Sequence, residues 1–317
     1  MTQIDKSRFE WIGSDSARRE GISRPSTTFW KDAIGRLMKN KVAVVCFFII
    51  VLLILSCIIV PFFSPFESRE QHLGEVNKGF MTVCTDSRYE GQHHVHYFGT
   101  DNLGRDLFLR AFEGGRVSLM IAFAAVFVNL IVGLIYGGIS GYIGGAVDTI
   151  MMRIVEIVNG IPYLIVVILL MIVLPKGIFT MVVAYGITGW TGMARLVRGQ
   201  ILSIKENEYI LAARSIGAKP GRIIKKHILP NCLSVIIIST ALQVPSAIFT
   251  ESFLSFVGLG VQAPMPSLGS LANAARGGMM SYPHKLVFPA VVICLIVLAF
   301  NLLGDGLRDA FDPKLRR

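Results

Sequence analysis

About six apolar runs, each close to 20 residues long, constrain this chain more than any other feature of its sequence. They cover residues 42–63, 117–139, 150–174, 179–196, 232–257 and 286–303. A helix rises about 1.5 Å per residue, so about 20 apolar residues span the hydrocarbon core of a bilayer. The pattern predicts an all-α integral membrane protein with about six transmembrane helices. Pro162 lies inside the third run and should kink its helix.

The composition agrees with a membrane protein and argues against a soluble one. Of the 317 residues, 53% are hydrophobic and 16% are charged, and the mean hydropathy is +0.59. Soluble domains carry about 25% charged residues. The formal net charge of +10 comes without aromatic-basic interleaving or zinc-finger spacing, so we expect no nucleic-acid partner.

The positions of lysine and arginine predict the orientation of the chain in the lipid bilayer. Basic residues concentrate in a polar tail at 1–41, in an insert at 205–230 and in a short tail at 309–317. Cytoplasmic segments carry this excess, and an even number of crossings separates the three segments. We expect both termini and the insert in the cytoplasm, and the loop at 64–116 outside. Residues 25–41 predict an amphipathic helix on the inner surface, with a disordered tail as the alternative.

The insert at 205–230 is too basic to lie in lipid. Its cationic side chains include Arg214, Lys219, Arg222, Lys225 and Lys226. Ala212 and Ala213 leave a nearly bare patch on a short helix, and Gly217 should end that helix with a positive φ. Glu208 lies in the first turn, where its charge favours the helix dipole. The pattern predicts a docking helix for a groove of another protein, with an ordinary basic loop as the alternative.

The order and spacing of these residues resemble the coupling motif of ABC-importer permeases. The matching positions are Glu208, Ala212 with Ala213, Gly217, Ile224 and Leu229 with Pro230, and the glutamate stands one position further from the alanines than in the simplest motif. The resemblance implies a type I ABC importer permease fold, with a transmembrane core at 117–308 that contains the insert. The ATPase-coupling residues that it implies are Glu208, Tyr209, Ala212, Ala213, Gly217 and Ala218.

Three further segments resemble the permeases of dipeptide, oligopeptide and nickel importers. Residues 96–106, HYFGTDNLGRD, resemble a G-T-D-x-x-G-R-D segment, although Leu109 stands where the family usually has serine. Residues 251–261 and 301–313 resemble the second, C-type subunit of these importers. The resemblance covers residues 41–314 apart from the variable part of the outer loop.

The segment at 96–106 also has a physical interpretation as the capped start of a membrane helix. Gly99 and Gly104 allow tight turns. Asp101 and Asp106 can pair with the arginines that follow them at the water interface. A purely structural turn is the alternative to any further role.

The family resemblance implies a permease subunit of an ATP-driven importer of dipeptides or oligopeptides in a bacterial or archaeal cytoplasmic membrane. The implied partners are a related second permease subunit, two cytoplasmic ATPase chains and an extracytoplasmic peptide-binding protein. No Gly-Lys dipeptide occurs, so this chain lacks a phosphate-binding loop, and ATP and magnesium would bind to the ATPase chains. We expect no enzyme activity and no cofactor on this chain. The alternatives are an importer of nickel or another small solute, a secondary transporter or channel, and a membrane-anchored assembly protein.

Three charged residues in the apolar runs have both structural and functional interpretations. Glu251 could line or gate a translocation path, but we favour a hydrogen-bonded structural carboxylate at a helix bend. Arg153 and Glu156 are three residues apart and should form an ion pair on one helix face.

The outer loop contains histidines that invite a metal interpretation. These are His93, His94 and His96. No carboxylate or cysteine completes a site at tight spacing, and Cys84 is alone in this loop, so we expect a solvated segment, no metal site and no disulfide framework.

Overall fold

The structure is a computed structural model that describes residues 29–85 and 94–311. His93 and most of both polar tails lie outside these ranges. The α-helices of the described chain are α1 (Phe29–Lys39), α2 (Lys41–Phe63), α3 (Leu107–Ile143), α4 (Gly145–Gly160), α5 (Tyr163–Val173), α6 (Ile178–Thr188), α7 (Trp190–Lys205), α8 (Glu208–Ser215), α9 (Pro220–Ile223), α10 (Leu229–Phe256), α11 (Leu268–Arg276) and α12 (His284–Phe311).

Short irregular elements connect these helices. A 3₁₀ turn at Leu73–Glu75 and two strands, β1 (Thr82–Val83) and β2 (Val95–His96), lie between α2 and α3. The strands pair antiparallel, with Thr82 opposite His96. A π-helical turn at Ile224–Ile228 joins α9 to α10.

Four helical segments of the described chain are long and apolar enough to cross a membrane. They are α2, α3, α12 and the continuous segment Pro220–Phe256, which contains α9, the π-helical turn and α10. The pair α4 and α5 adds a fifth if it counts as one span, and its two helices are bent by 79°. Pro162 precedes α5 and has no backbone N–H to continue the helix, so the predicted kink is confirmed.

The fourth apolar run, at 179–196, is not among these segments because neither of its two helices is long enough alone. Gly189 separates α6, with 11 residues, from α7, with 16. Its backbone is nevertheless right-handed helical, and its N–H donates to the oxygen of Tyr185 at 2.8 Å. The side chain of Asn129 packs against this break, and a Cβ on Gly189 would lie only 2.4 Å from its Nδ2. The fourth apolar run is thus helical on both sides of Gly189, where the buried amide of Asn129 packs against its backbone.

The helix α3 begins earlier than its apolar run. Its N-cap is Asp106, whose Oδ1 accepts a hydrogen bond from the backbone N–H of Leu109 at 2.8 Å. This cap explains why the helix starts at Leu107 and continues for 37 residues. The interpretation of this segment as a capped helix start is confirmed, and Gly99 and Gly104 both have the positive φ of tight turns, 75° and 73°.

The helices α3 and α7 pack closely along a stripe of glycines at positions 133, 137 and 141 of α3. A Cβ on Gly137 would lie 2.3 Å from the backbone oxygen of Ala194 in α7. Small residues spaced four apart let two helix backbones approach in a membrane protein, where packing supplies much of the association energy. The stripe therefore sets the distance between α3 and α7.

The main apolar core joins α2, α3, α10 and α12, and α1 lies at its edge. Its fully buried members include Ala122, Ile248 and Ile296. The ring of Trp30 in α1 packs edge-on against Phe311 at the end of α12, with 5.7 Å between ring centroids. The predicted amphipathic helix is confirmed for the described residues of that segment, and α1 lies beside the last turn of the chain's final helix.

Candidate functional site

The predicted docking helix is α8, and its end is closed by a glycine cap. Gly217 has φ +79°, as predicted for a residue that ends a helix in the left-handed region. Its N–H donates to the oxygen of Arg214 at 2.9 Å, and the N–H of Ala218 donates to the oxygen of Ala213 at 3.0 Å. This pair of bonds is the Schellman arrangement, which stops α8 and turns the chain sharply toward α9.

One face of α8 is buried and fixes the helix to the rest of the molecule. Ile210 is fully buried and Ala213 is 8% exposed, in a cluster with Val197 and Ile201 of α7 and Ile228 of the π-helical turn. The prediction that Ala212 and Ala213 together form a bare docking patch is therefore corrected. Residues 210 and 213 are three apart and share the inward face.

The other face of α8 is exposed and carries most of the predicted coupling residues. Glu208, Tyr209 and Ala212 are exposed, as is Gly217 after the helix, whereas Ala218 is half-buried. Two exposed apolar side chains were missed by the sequence interpretation: Leu211, 49% exposed, and Ile216, 86% exposed. The signal that could have found them is the 3.6-residue period, which places Ile210 and Ala213 inward and their neighbours outward.

The insert is also tied to the ends of the neighbouring helices. The Nζ of Lys205 donates to the backbone oxygen of Gly141 at 3.1 Å, which joins the end of α7 to the end of α3. The guanidinium of Arg214 lies over the ring of Tyr142 at 5.9 Å. The helix α8 therefore contacts α3 through Arg214 and α7 through its buried face.

Glu251 lies inside the protein near the end of α10. It is 2% exposed, and its carboxylate accepts hydrogen bonds from Ser255 at 2.7 Å and Ser252 at 3.4 Å. The hydroxyl of Ser118 in α3 accepts a hydrogen bond from the backbone N–H of Leu268 in α11 at 3.2 Å. The carboxylate is therefore buried and hydrogen-bonded within the last turns of α10, a geometry that suits the structural interpretation.

The pair Arg153 and Glu156 forms as predicted. The Nη1 of Arg153 lies 2.6 Å from Oε2 of Glu156, with side chains 73% and 59% exposed. A more buried pair, Asp148 with Arg198, was missed because its members are 50 residues apart in the chain.

The outer loop does not form the solvated histidine segment that the sequence predicts. His96 is fully buried, His94 is half-buried, and Cys84 is 8% exposed. Glu75, 2% exposed, lies beside both Cys84 and His96. The fold therefore brings a carboxylate and a cysteine beside His96 that the sequence spacing does not place there.

Hydrogen bonds and neighbouring carboxylates shift the pKa values of Glu75 and His96 in this loop. Burial raises the pKa of Glu75, but hydrogen bonds from the Thr85 backbone N–H, Cys84 and His96 outweigh it and hold that pKa below its usual value. Burial lowers the pKa of His96, whereas the carboxylates of Asp106 and Glu75 raise it, and the net result is a pKa above the usual value. The loop thus favours a carboxylate and an imidazolium in contact.

Comparison with known proteins identifies the family. Residues 130–317 match the family described as "Binding-protein-dependent transport system inner membrane component", and residues 28–79 match "N-terminal TM domain of oligopeptide transport permease C". The second match begins in the first polar tail and reaches into the outer loop, so the resemblance extends further than the sequence motifs indicate.

Relatives with established names align over nearly the whole chain. The oligopeptide transport system permease protein OppC of Bacillus subtilis is 46% identical over 317 residues, which is 100% of both chains. The dipeptide transport system permease protein DppC of the same organism is 48% identical over 299 residues, 94% of this chain and 90% of its own length. OppC of Escherichia coli is 43% identical over 99% of both chains.

A solved structure shares the fold. The inward-facing MetNI methionine ABC transporter has a chain with a TM-score of 0.53 and 20% sequence identity, which matches 64% of this chain and 96% of its own length. This likeness shows the type I permease fold of the core. With its apolar spans, its two family matches and its full-length relatives, this multi-pass membrane protein belongs to the binding-protein-dependent transport system inner membrane components, as a C-type permease subunit.

Proposed function

We propose that this chain forms part of the translocation path of an ATP-driven importer of dipeptides or oligopeptides, and that α8 couples it to separate ATPase subunits. The observation that carries the proposal is the form of α8: one face is packed into the protein by Ile210 and Ala213, and the other presents Tyr209, Leu211 and Ala212. A short helix with an apolar exposed face suits a groove in a partner protein. Relatives named as oligopeptide and dipeptide permeases support the substrate class.

The contacts of α8 provide a route from the ATPases to the spans. ATP and magnesium bind to the ATPase subunits, whose closure moves α8 as a rigid body. The Lys205 bond to Gly141 and the packing of Ile210 beside Val197 and Ile228 pass this movement to α3, α7 and α10. A rigid shift of packed helices is a recurring form of switching in proteins.

We propose that both termini and α8 face the cytoplasm. The packing of Trp30 on Phe311 supports a common side for α1 and the end of α12. The basic residues of the first tail, the insert and the last tail support the cytoplasm as that side. The outer loop then faces the extracytoplasmic peptide-binding protein, and a related permease subunit completes the path. In this arrangement Glu251 is a structural carboxylate rather than a gate.

Substitution at α8 tests the coupling proposal. Ala212→Trp adds bulk to the exposed face without entering the core, so it should release the ATPase subunits from the purified complex and abolish peptide uptake. The matched control is Ala274→Trp, at an exposed alanine of α11, which should keep the ATPases bound. Normal ATPase co-purification and uptake in Ala212→Trp would overturn the assignment of α8.

A solute panel tests the substrate class separately. The complex, reconstituted in vesicles with its binding protein and ATP, is offered labelled dipeptides, oligopeptides and Ni²⁺. We expect ATP-dependent uptake of peptides and none of Ni²⁺. Uptake of Ni²⁺ alone would overturn the peptide assignment while leaving the coupling assignment intact.

A further inference from the structure

Three side chains of different chemistry meet inside the outer loop. Glu75 comes from the 3₁₀ turn, Cys84 follows β1, and His96 lies in β2. Their donor atoms all lie within 4.8 Å of one another. The Oε2 of Glu75 is 3.2 Å from the Sγ of Cys84 and 3.1 Å from the Nε2 of His96. The three residues are 21 positions apart at most, and the pairing of β1 with β2 brings the last two together.

The separations fit a tetrahedral metal ion. Zinc binds sulfur at about 2.3 Å and nitrogen or oxygen at about 2.0–2.2 Å, so two of its ligands lie about 3.3–3.7 Å apart. The two measured distances are a few tenths of an ångström shorter, so a small outward movement of the side chains would admit an ion. A thiolate, an imidazole and a carboxylate are each ligands that zinc binds, whereas calcium and magnesium prefer oxygen ligands.

Partners behind two of the three donors orient them toward the common point. The Nδ1 of His96 lies 2.7 Å from Oδ2 of Asp106, which leaves Nε2 directed at Glu75. A carboxylate behind a ligating histidine is the usual arrangement in zinc sites, because it fixes the ring and raises its basicity. The other oxygen of Glu75 accepts hydrogen bonds from the backbone N–H of Thr85 and, at 3.0 Å, from its Oγ1.

Apolar side chains surround the three donor residues and cover them from bulk solvent. The ring of Phe66 stacks on His96 with 4.4 Å between centroids, and Leu109 packs with Phe66 and Cys84. A cavity of about 490 Å³, whose lining includes Phe66, His94 and Asp106, opens beside them. An apolar shell strengthens the interaction of a metal with its ligands.

We propose that Glu75, Cys84 and His96 bind one zinc ion that stabilises the loop between α2 and α3. Binding displaces the thiol proton of Cys84 and the Nε2 proton of His96, and a water molecule fills the fourth position. The three donors come from three separate segments of this loop, which a bound ion would join. This site is independent of peptide transport and of α8.

Metal analysis of the full chain in its membrane complex tests the proposal. The complex, purified through a tag without histidine, is incubated with buffered Zn²⁺, freed of excess metal and analysed by mass spectrometry. We expect about one zinc per chain, a zinc-dependent rise in the melting temperature, and with Co²⁺ a thiolate-to-metal absorption band in the near ultraviolet. If the wild-type complex retained no zinc, that result alone would overturn the proposal.

Substitutions assign the metal to these donors. Cys84→Ser and His96→Gln should abolish retention of zinc, and Cys84→Ser should remove the Co²⁺ band. Glu75→Gln provides a milder change that keeps the side-chain volume and should weaken zinc retention at least tenfold. The matched controls Cys294→Ser in α12 and His227→Gln in the π-helical turn should retain zinc. Unchanged zinc content in Cys84→Ser and His96→Gln would place the metal elsewhere and overturn the assignment.

Discussion

Arg198 donates two hydrogen bonds to the carboxylate of Asp148, from Nε at 2.5 Å and from Nη2 at 2.6 Å. The hydroxyl of Ser140 adds a third bond at 2.5 Å. Ser140 belongs to α3, Asp148 to α4 and Arg198 to α7, so one carboxylate joins three helices at the point where the chain leaves α3. The planar guanidinium suits this geometry because it presents two parallel N–H donors.

Removing the charge of Asp148 should destabilise the junction of these helices. In Asp148→Asn the guanidinium loses its counter-charge while the side-chain volume is kept, and we expect a loss of about 1–3 kcal/mol in the free energy of unfolding. The measurement is the melting temperature of the purified complex. Glu156→Gln is the control, because its pair with Arg153 is exposed and solvent screens it. Equal effects of the two substitutions would contradict the importance assigned to the Asp148 junction.

Adding one methyl group at Gly137 should push α3 away from α7. In Gly137→Ala the Cβ would meet the backbone oxygen of Ala194 at 2.3 Å, and backbone atoms cannot rotate aside. We expect a loss of about 1–3 kcal/mol, as for other overpacked interfaces. Gly138→Ala is the matched control, since its Cβ would have nothing within 4 Å. A stability of Gly137→Ala that equals that of Gly138→Ala would argue against close packing of the two backbones.

The left-handed conformation of Gly217 should matter more than the space around it. A Cβ would meet nothing within 4 Å at Gly217 or at Gly221, but only Gly217 has a positive φ. Gly217→Ala should therefore strain the end of α8 by about 1 kcal/mol and lower the ATP hydrolysis that transported peptide stimulates. In Gly221→Ala both stability and hydrolysis should stay normal. If the two variants behave alike, the cap geometry has no part in coupling.

Glu251 offers a test that separates a structural carboxylate from a gate. Glu251→Gln keeps the volume and can still bond the surrounding serines, so we expect a slightly lower melting temperature and normal peptide uptake. Glu251→Ala leaves a cavity and removes the common partner of those hydroxyls, and should cost about 2–4 kcal/mol. If Glu251→Gln lost peptide uptake but kept a normal melting temperature, the result would instead favour a role of Glu251 in the translocation path.

The local sequence determined the features that depend on neighbouring residues. The kink before Tyr163 follows from Pro162, the start of α3 from Asp106, and the end of α8 from Gly217. Each rests on a steric restriction or a hydrogen bond that reaches at most a few positions along the chain. The apolar runs likewise determined a helical membrane protein, because hydropathy summed over about 20 residues needs no tertiary information.

Only the tertiary structure decided which distant side chains meet and which faces are covered. The buried face of α8 is Ala213 with Ile210, because α7 and the π-helical turn lie against it, and no spacing in the insert shows that neighbour. The amide of Asn129 in α3 packs against the backbone at Gly189, between α6 and α7. Cys84 and His96 come beside Glu75 through strand pairing and a turn, and Asp148 meets Arg198 across 50 positions. Contacts of this kind depend on chain packing in three dimensions, which a linear pattern does not encode.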